Sequence, residues 1–233
     1  MKTTISLLIC LCFTMMLQAQ VSITTNVTAG NLKASLTIDE LATITKLTLT
    51  GTIDTRDFKT MRDDMPLLAE IDLSGVNIAA YSGGEGTYQT VTDYQANEIP
   101  VCAFYRINHA KTNLKSVTLP STITAVGGYA FYGSGLTSVT VPKSVTSIET
   151  CAYGECTGLK SISLFGVPPQ IKEDDCNGLN ASFYQVDKSL CVLQVPFGLK
   201  SLYAANSYWQ KFADIVELPG SLFITAVVNL EAK

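Results

Sequence analysis

One frame recurs along this chain: apolar, two unrestricted positions, apolar, one unrestricted position, apolar. It fits Ile44, Leu47 and Leu49; then Leu68, Ile71 and Leu73; then Leu114, Val117 and Leu119. It fits again at Leu136, Val139 and Val141; at Leu159, Ile162 and Leu164; and at Leu190, Leu193 and Val195. Successive starts lie 24, 46, 22, 23 and 31 residues apart. Self-similarity at such a period marks a repeat array. Each frame reads as a short strand whose alternate side chains point inward. One strand cannot bury its apolar edge alone, but stacked copies bury theirs against one another.

A second marker keeps the same phase. Ile99, Val126 and Ile148 each stand four residues before an Ala–aromatic pair, namely Ala103–Phe104, Ala130–Phe131 and Ala152–Tyr153. The pair is expected to plug the far side of each coil. Pro120, Pro142 and Pro196 follow the strands, where proline turns the chain. The 46-residue step is one repeat carrying insertions of 19 and 4 residues. The larger insertion lies within residues 76–97, rich in Gly, Tyr and Ser, and predicts a flexible loop projecting from the stack.

The ends break the period, as terminal units of an array must. Thr37 and Glu40 have capping-box spacing. Asp54 and Asp57 suit a helix N-terminus, and Phe58, Met61 and Met65 continue at helical spacing until Pro66. Leu202, Ala205, Trp209 and Phe212 predict one apolar helical face, with a short strand from Ile215 to Leu218 beyond it.

The segments LKSVTLPSTITAVGGYAF and LTSVTVPKSVTSIETCAY resemble the BspA-type leucine-rich repeats of bacterial surface proteins. The stretch CVLQVPFGLKSLYAANSYWQKFADIVEL is similar to the closing segment of such proteins, so the resemblance runs from Ile44 to Leu218. It implies a leucine-rich-repeat solenoid, β-rich with short helices at the ends, a right-handed stack of about six frames. It also implies an exported, non-enzymatic protein, some members of the family adhering to host matrix or cell-surface proteins.

The expected layout is a signal peptide over 1–19, an N-terminal cap over 20–43, the solenoid over 44–197, a C-terminal cap over 198–218 and a tail over 219–233. The first twenty residues carry Lys2, an apolar run from Ile5 to Leu17 and Ala19 before the cut, the layout of a secretory signal. No later segment is long and apolar enough to span a bilayer. The mature chain is therefore expected at the cell surface, secreted, or in the periplasm. Removing the signal leaves five cysteines, an odd number, most of them expected to be small buried residues.

Net charge is −4 and no basic stripe appears, which argues against a nucleic-acid partner. The single His109 has no Ser or Cys motif with it, so no catalytic residue is assigned. Glu173, Asp174 and Asp175 lack the alternate spacing of a calcium loop, and the glycines of YSGGEGTY lack the Lys of a phosphate loop. No metal site and no cofactor is expected. Two candidate binding surfaces remain. Ser116, Thr118, Ser138, Thr140, Ser161 and Ser163 are expected to form outward columns on the sheet. Such residues suit a solvated strand, and they also form a docking face of the extended kind that solenoids present. Tyr81, Tyr88 and Tyr94 of the insertion are the other candidate, either as interface residues or, if buried, as anchors of the loop. The function expected is recognition of a protein or glycan; the alternative is a structural or accessory envelope component with no ligand of its own.

Overall fold

The structure, a computed structural model, describes residues 20–105, 112–172 and 181–219. The signal-like segment, His109, the acidic run 173–175, Cys176 and all of the tail after Pro219 lie outside the described residues.

The strands are β1 (Ser22–Val27), β2 (Lys46–Ile53), β3 (Glu70–Ile78), β4 (Tyr81–Ser82), β5 (Asp93–Tyr94), β6 (Glu98–Ile99) and β7 (Ser116–Thr118). They continue as β8 (Ala125–Val126), β9 (Ser138–Val141), β10 (Ser147–Ile148), β11 (Ser161–Leu164), β12 (Gln170–Ile171), β13 (Val192–Val195) and β14 (Asp214–Glu217). Helices α1 (Ile38–Thr43), α2 (Thr55–Asp64) and α3 (Lys200–Ala204) sit near the ends. All strands but β4 and β5 pair in parallel, which requires a crossover between neighbours. Each repeat supplies that crossover as one turn of the coil.

The central frame residues are in register. Ile23, Leu47, Ile71 and Val117 align across β1–β2–β3–β7, and Val139, Ile162, Leu193 and Ile215 across β9–β11–β13–β14. β7 and β9 lie side by side, so the two sheets form one series of eight strands. The phase marker builds the opposite wall: Ile99, Val126, Ile148 and Ile171 align in β6–β8–β10–β12. The core fills the space between the walls.

Within that core the aromatic half of each pair stacks on the next. Phe104, Phe131, Tyr153 and Phe183 have centroids 5.5, 5.2 and 5.3 Å apart, with interplanar angles of 18°, 7° and 12°. Backbone rungs run alongside: Phe104, Phe131 and Tyr153 each donate their N–H to the residue before the next ring, Ala130, Ala152 and Ser182, at 2.7, 2.8 and 2.8 Å. Edge-on rings close the column, Phe58 at one end and Trp209 and Phe212 at the other.

Both N-terminal caps form. Thr37 Oγ1 accepts from the Glu40 N–H while the Glu40 carboxylate accepts from the Thr37 N–H. Asp54 and Asp57 make the same reciprocal arrangement at α2, whose Phe58 and Met61 are buried. The buried Asp57 also accepts from the Gly30 and Leu32 N–H groups at 2.7 and 2.9 Å, tying the first coil to α2.

Four expectations change. β1 adds a strand within the stretch read as a cap; β14 forms within one residue of the strand expected at 215–218 and joins the series as its eighth. The last frame does not hold at its first position: Leu190 is 72% exposed and Cys191 fills the inward slot. The turn from Asp187, closed by the Leu190 N–H to the Asp187 carbonyl at 3.1 Å, shifts the chain by one residue before β13. The C-terminal cap is not one helical face. Asn206 Oδ1 accepts from the Tyr208 and Trp209 N–H groups and starts a separate 3₁₀ turn at Trp209, so Tyr203 and Trp209 are buried while Leu202 and Ala205 are exposed.

The insertion is the fourth. β3 pairs with β2 through Ile78, burying Val76 and Ile78, and β4 and β5 form an antiparallel pair beyond it. The loop then turns back on the stack. Thr87 is buried, its hydroxyl bonded to Thr55 Oγ1 at 3.1 Å and donating to the Val101 carbonyl at 2.6 Å.

Candidate functional site

The outward face of the eight-strand series follows from its register. Ser116 and Thr118 on β7, and Ser138 and Thr140 on β9, are exposed, and Ser161 and Ser163 on β11 are half-buried. Ser138 aligns with Ser161, and Thr140 with Ser163. Six hydroxyls thus stand in two columns on three neighbouring strands, separated by the ~4.8 Å of strand spacing across and about 7 Å along. None of these positions faces the core, because the intervening Val117, Val139 and Ile162 do. The register sets all six opposite the core side chains, with Ser161 and Ser163 half-buried.

The register also shows how the columns continue. Glu70 aligns with Ser116 and Asp72 with Thr118, while Lys46 aligns with Glu70 and pairs with it at 3.2 Å. On the other side Ser163 Oγ donates to Gln194 Oε1 at 2.6 Å across β11 and β13. The face is therefore charged at its β2–β3 end and uncharged in the middle. The frame alone marks these positions as unrestricted; their alignment comes from the strand pairing.

The three insertion tyrosines do not act alike. Tyr94 is 7% exposed, and its hydroxyl accepts from the Tyr88 N–H at 2.9 Å and donates to the Tyr88 carbonyl at 3.0 Å, anchoring the loop. Tyr81 and Tyr88 are half-buried. The Arg56 guanidinium sits 4.7 Å from the Tyr81 ring centroid while pairing with the buried Asp54. Nearly two turns further along α2, Arg62 Nη1 lies 2.7, 2.8 and 3.4 Å from the carbonyls of Thr87, Cys102 and Tyr105. Two arginines on one helix thus hold the insertion and the repeat turn beside it.

A second aromatic group lies on the flank and has no counterpart in the sequence reading. Tyr105, Tyr129 and Tyr132 pack together with centroids 4.9 to 5.8 Å apart. Their room comes from small neighbours: Cys102 and Cys151 occupy the positions equivalent to Tyr129, and a Cβ on Gly154 would stand 2.8 Å from the Tyr132 ring. Tyr132 donates its hydroxyl to Glu155 Oε1 at 2.7 Å. Burial, followed by that bond, pushes the Tyr132 phenol well up, and burial pushes Tyr129 up to about 12. Neither ionises near neutral pH.

Cys102, Cys151, Cys156 and Cys191 are all buried, as expected of small apolar residues. Burial pushes Cys102 and Cys191 up to about 11, out of the reactive range. Among the described residues no group of His, Cys, Asp and Glu could hold a metal ion. No described helix is long and apolar enough to cross a membrane.

Residues 85–193 match the family model of the BspA type leucine rich repeat region, in six copies. Residues 85–193 are leucine-rich repeats of the BspA type. A crystal structure of a leucine-rich repeat protein from Bacteroides ovatus ATCC 8483 is similar at 17% identity and a TM-score of 0.40, over 77% of this chain and 49% of that one. The chain spans about half the length of that protein. A search of curated proteins gives no match. Repeats of this type point to a protein-interaction module. The eight-strand series extends beyond the matched repeats at both ends, through β1 and β14.

Proposed function

We propose that this chain is an exported binding module that recognises a protein or glycan through the outward sheet face, with adhesion to host surfaces as its setting. The observation that carries the reading is the uncharged hydroxyl array, exposed on β7 and β9 and half-buried on β11, held by the backbone of the strands beneath it. A parallel solenoid keeps such groups in place with little conformational freedom left to lose on binding. Hydroxyls offer both donors and acceptors to a polar ligand. Tyr81 and Tyr88, half-buried on a loop held by α2, extend the contact area beside the charged end of the face.

The test is an array of matrix proteins and glycans probed with the wild-type chain and with Thr118→Arg/Thr140→Arg/Ser163→Arg. The variant should lose binding at least tenfold with an unchanged circular dichroism spectrum. Undiminished binding by the folded variant removes the face from the function. Labelling of intact cells with a membrane-impermeant reagent tests the setting: a chain protected from label is no adhesin.

A further inference from the structure

The first strand of the series has an edge that no described strand covers. The carbonyl of Val21 accepts from the Thr45 and Lys46 N–H groups. By alternation Ile23, Thr25 and Val27 bond toward β2, and the N–H and C=O groups of Ser22, Thr24 and Asn26 face the open side. Exposed edges are usually blunted by charge, proline, a bulge or shortness. β1 has none of these: it is six residues long, SITTNV, without charge or proline, and its register against β2 is unbroken. The other end of the series differs. β14 is four residues long, carries Asp214 and Glu217, and packs against α3.

We propose that β1 pairs antiparallel with β1 of a second copy of this chain, about a two-fold axis passing through Thr25. The choice of occupant rests on self-complementarity. With Thr25 opposite its own copy, Ile23 faces Val27 of the second chain on the inward side, and Thr24 faces Asn26 on the outward side. Apolar meets apolar, amide meets hydroxyl, and no like charges oppose one another. The narrow hydrogen-bonded pairs then fall on Thr24 and Asn26, whose backbone groups are the free ones. A shift of one residue would put Thr24 against Thr25 and mix the two faces. A symmetric pairing of β14 would instead bring Asp214 and Glu217 together with their copies. The same terminal coil carries Ile38, 84% exposed on α1, as further apolar surface at that end. The result is an isologous dimer with one sheet continuing across both chains.

Light scattering on the eluting protein, across a hundredfold concentration range, tests this. Wild type should shift from monomer to dimer mass. Thr24→Pro removes an outward N–H and no bond to β2, so it should remain monomeric with an unchanged melting curve. Thr24→Lys/Asn26→Lys, which sets like charges opposite one another, should do the same and stands in if the proline variant misfolds. Thr25→Cys, in a Cys176→Ser background, should oxidise to a covalent dimer. A wild-type chain monomeric throughout overturns the proposal. So does a dimer that survives the two-lysine substitution, which places the interface elsewhere. A monomer that captures an unrelated extended peptide on β1 overturns the choice of a second copy.

Discussion

At the scale of single residues, the aromatic column separates the effects of two substitutions at neighbouring stacked rings. Phe131 lies between Phe104 and Tyr153 and is fully buried. Phe131→Ala leaves a cavity between stacked rings that the coils cannot close, and should cost about 3–5 kcal/mol in urea unfolding. Tyr153 occupies the same column with a buried hydroxyl that finds no hydrogen-bond partner among the described residues. Removing such a group relieves its desolvation, so Tyr153→Phe should leave stability unchanged or raise it by about 1 kcal/mol. A loss of more than that would mean the hydroxyl is satisfied. The thiols give a pH prediction. Folding raises Cys102 and Cys191 from an ordinary 9.0 to about 11. The folded state then holds these protons more tightly than the unfolded one, so the stabilisation is full below pH 9 and is lost as pH rises toward 11. Native protein at pH 8 should leave both thiols unlabelled by a thiol reagent that reaches them after unfolding.

At the scale of elements, the repeat strands were legible because inward and outward positions alternate, and both walls kept one phase. Caps were legible where a side chain and a backbone N–H lie three residues apart, as at Thr37 and Asp54. What escaped were features that depend on partners remote in sequence, or on a local side-chain bond outside the apolar pattern. β1 has Thr25 where its neighbours have leucine, so its alternation is weak until β2 lies beside it. Asn206 broke the helical period through its own side chain, which spacing of apolar residues does not register. The insertion reads as a loop because its Gly and Ser content is that of a loop, yet Thr87 and Tyr94 anchor it. Arg62 is the test of that anchoring. Its side chain is 9% exposed and its Nη1 serves carbonyls from the insertion and the repeat turn. Arg62→Ala should cost about 2 kcal/mol, the worth of a charge-assisted hydrogen bond to a buried group. It should also speed proteolysis within residues 79–96 while the repeat core stays resistant. Cleavage at the wild-type rate would show that Thr87 and Tyr94 suffice.

At the scale of the molecule, the same logic that makes the repeat legible makes its function illegible from the shared residues. Leu136, Val139, Val141, Ile148 and Tyr153 do what their equivalents do in each coil, filling one layer of a common core. Binding at the proposed face depends on positions the frame leaves unrestricted: the period puts them on one side of the sheet, and the strand pairing shows which stand next to each other. The layered design predicts how the chain tolerates loss of a unit. Residues 136–158 are one whole step, from one frame start to the residue before the next, and contain β9, β10 and Tyr153. Deleting them brings Val117 beside Ile162, Val126 beside Ile171 and Phe131 onto Phe183, so strand register and ring column both remain continuous. In a stack held by nearest-neighbour contacts, that variant should fold cooperatively with a strand signal reduced in proportion and a lower urea midpoint. Deleting only residues 136–147 removes β9 but leaves Ile148 and the ring of Tyr153 in a coil with no strand on the opposite wall. That shorter deletion should fail to fold. If the half-step variant folded as well as the whole-step one, the two walls would not be coupled coil by coil, and the stacked-layer account of this core would have to be abandoned.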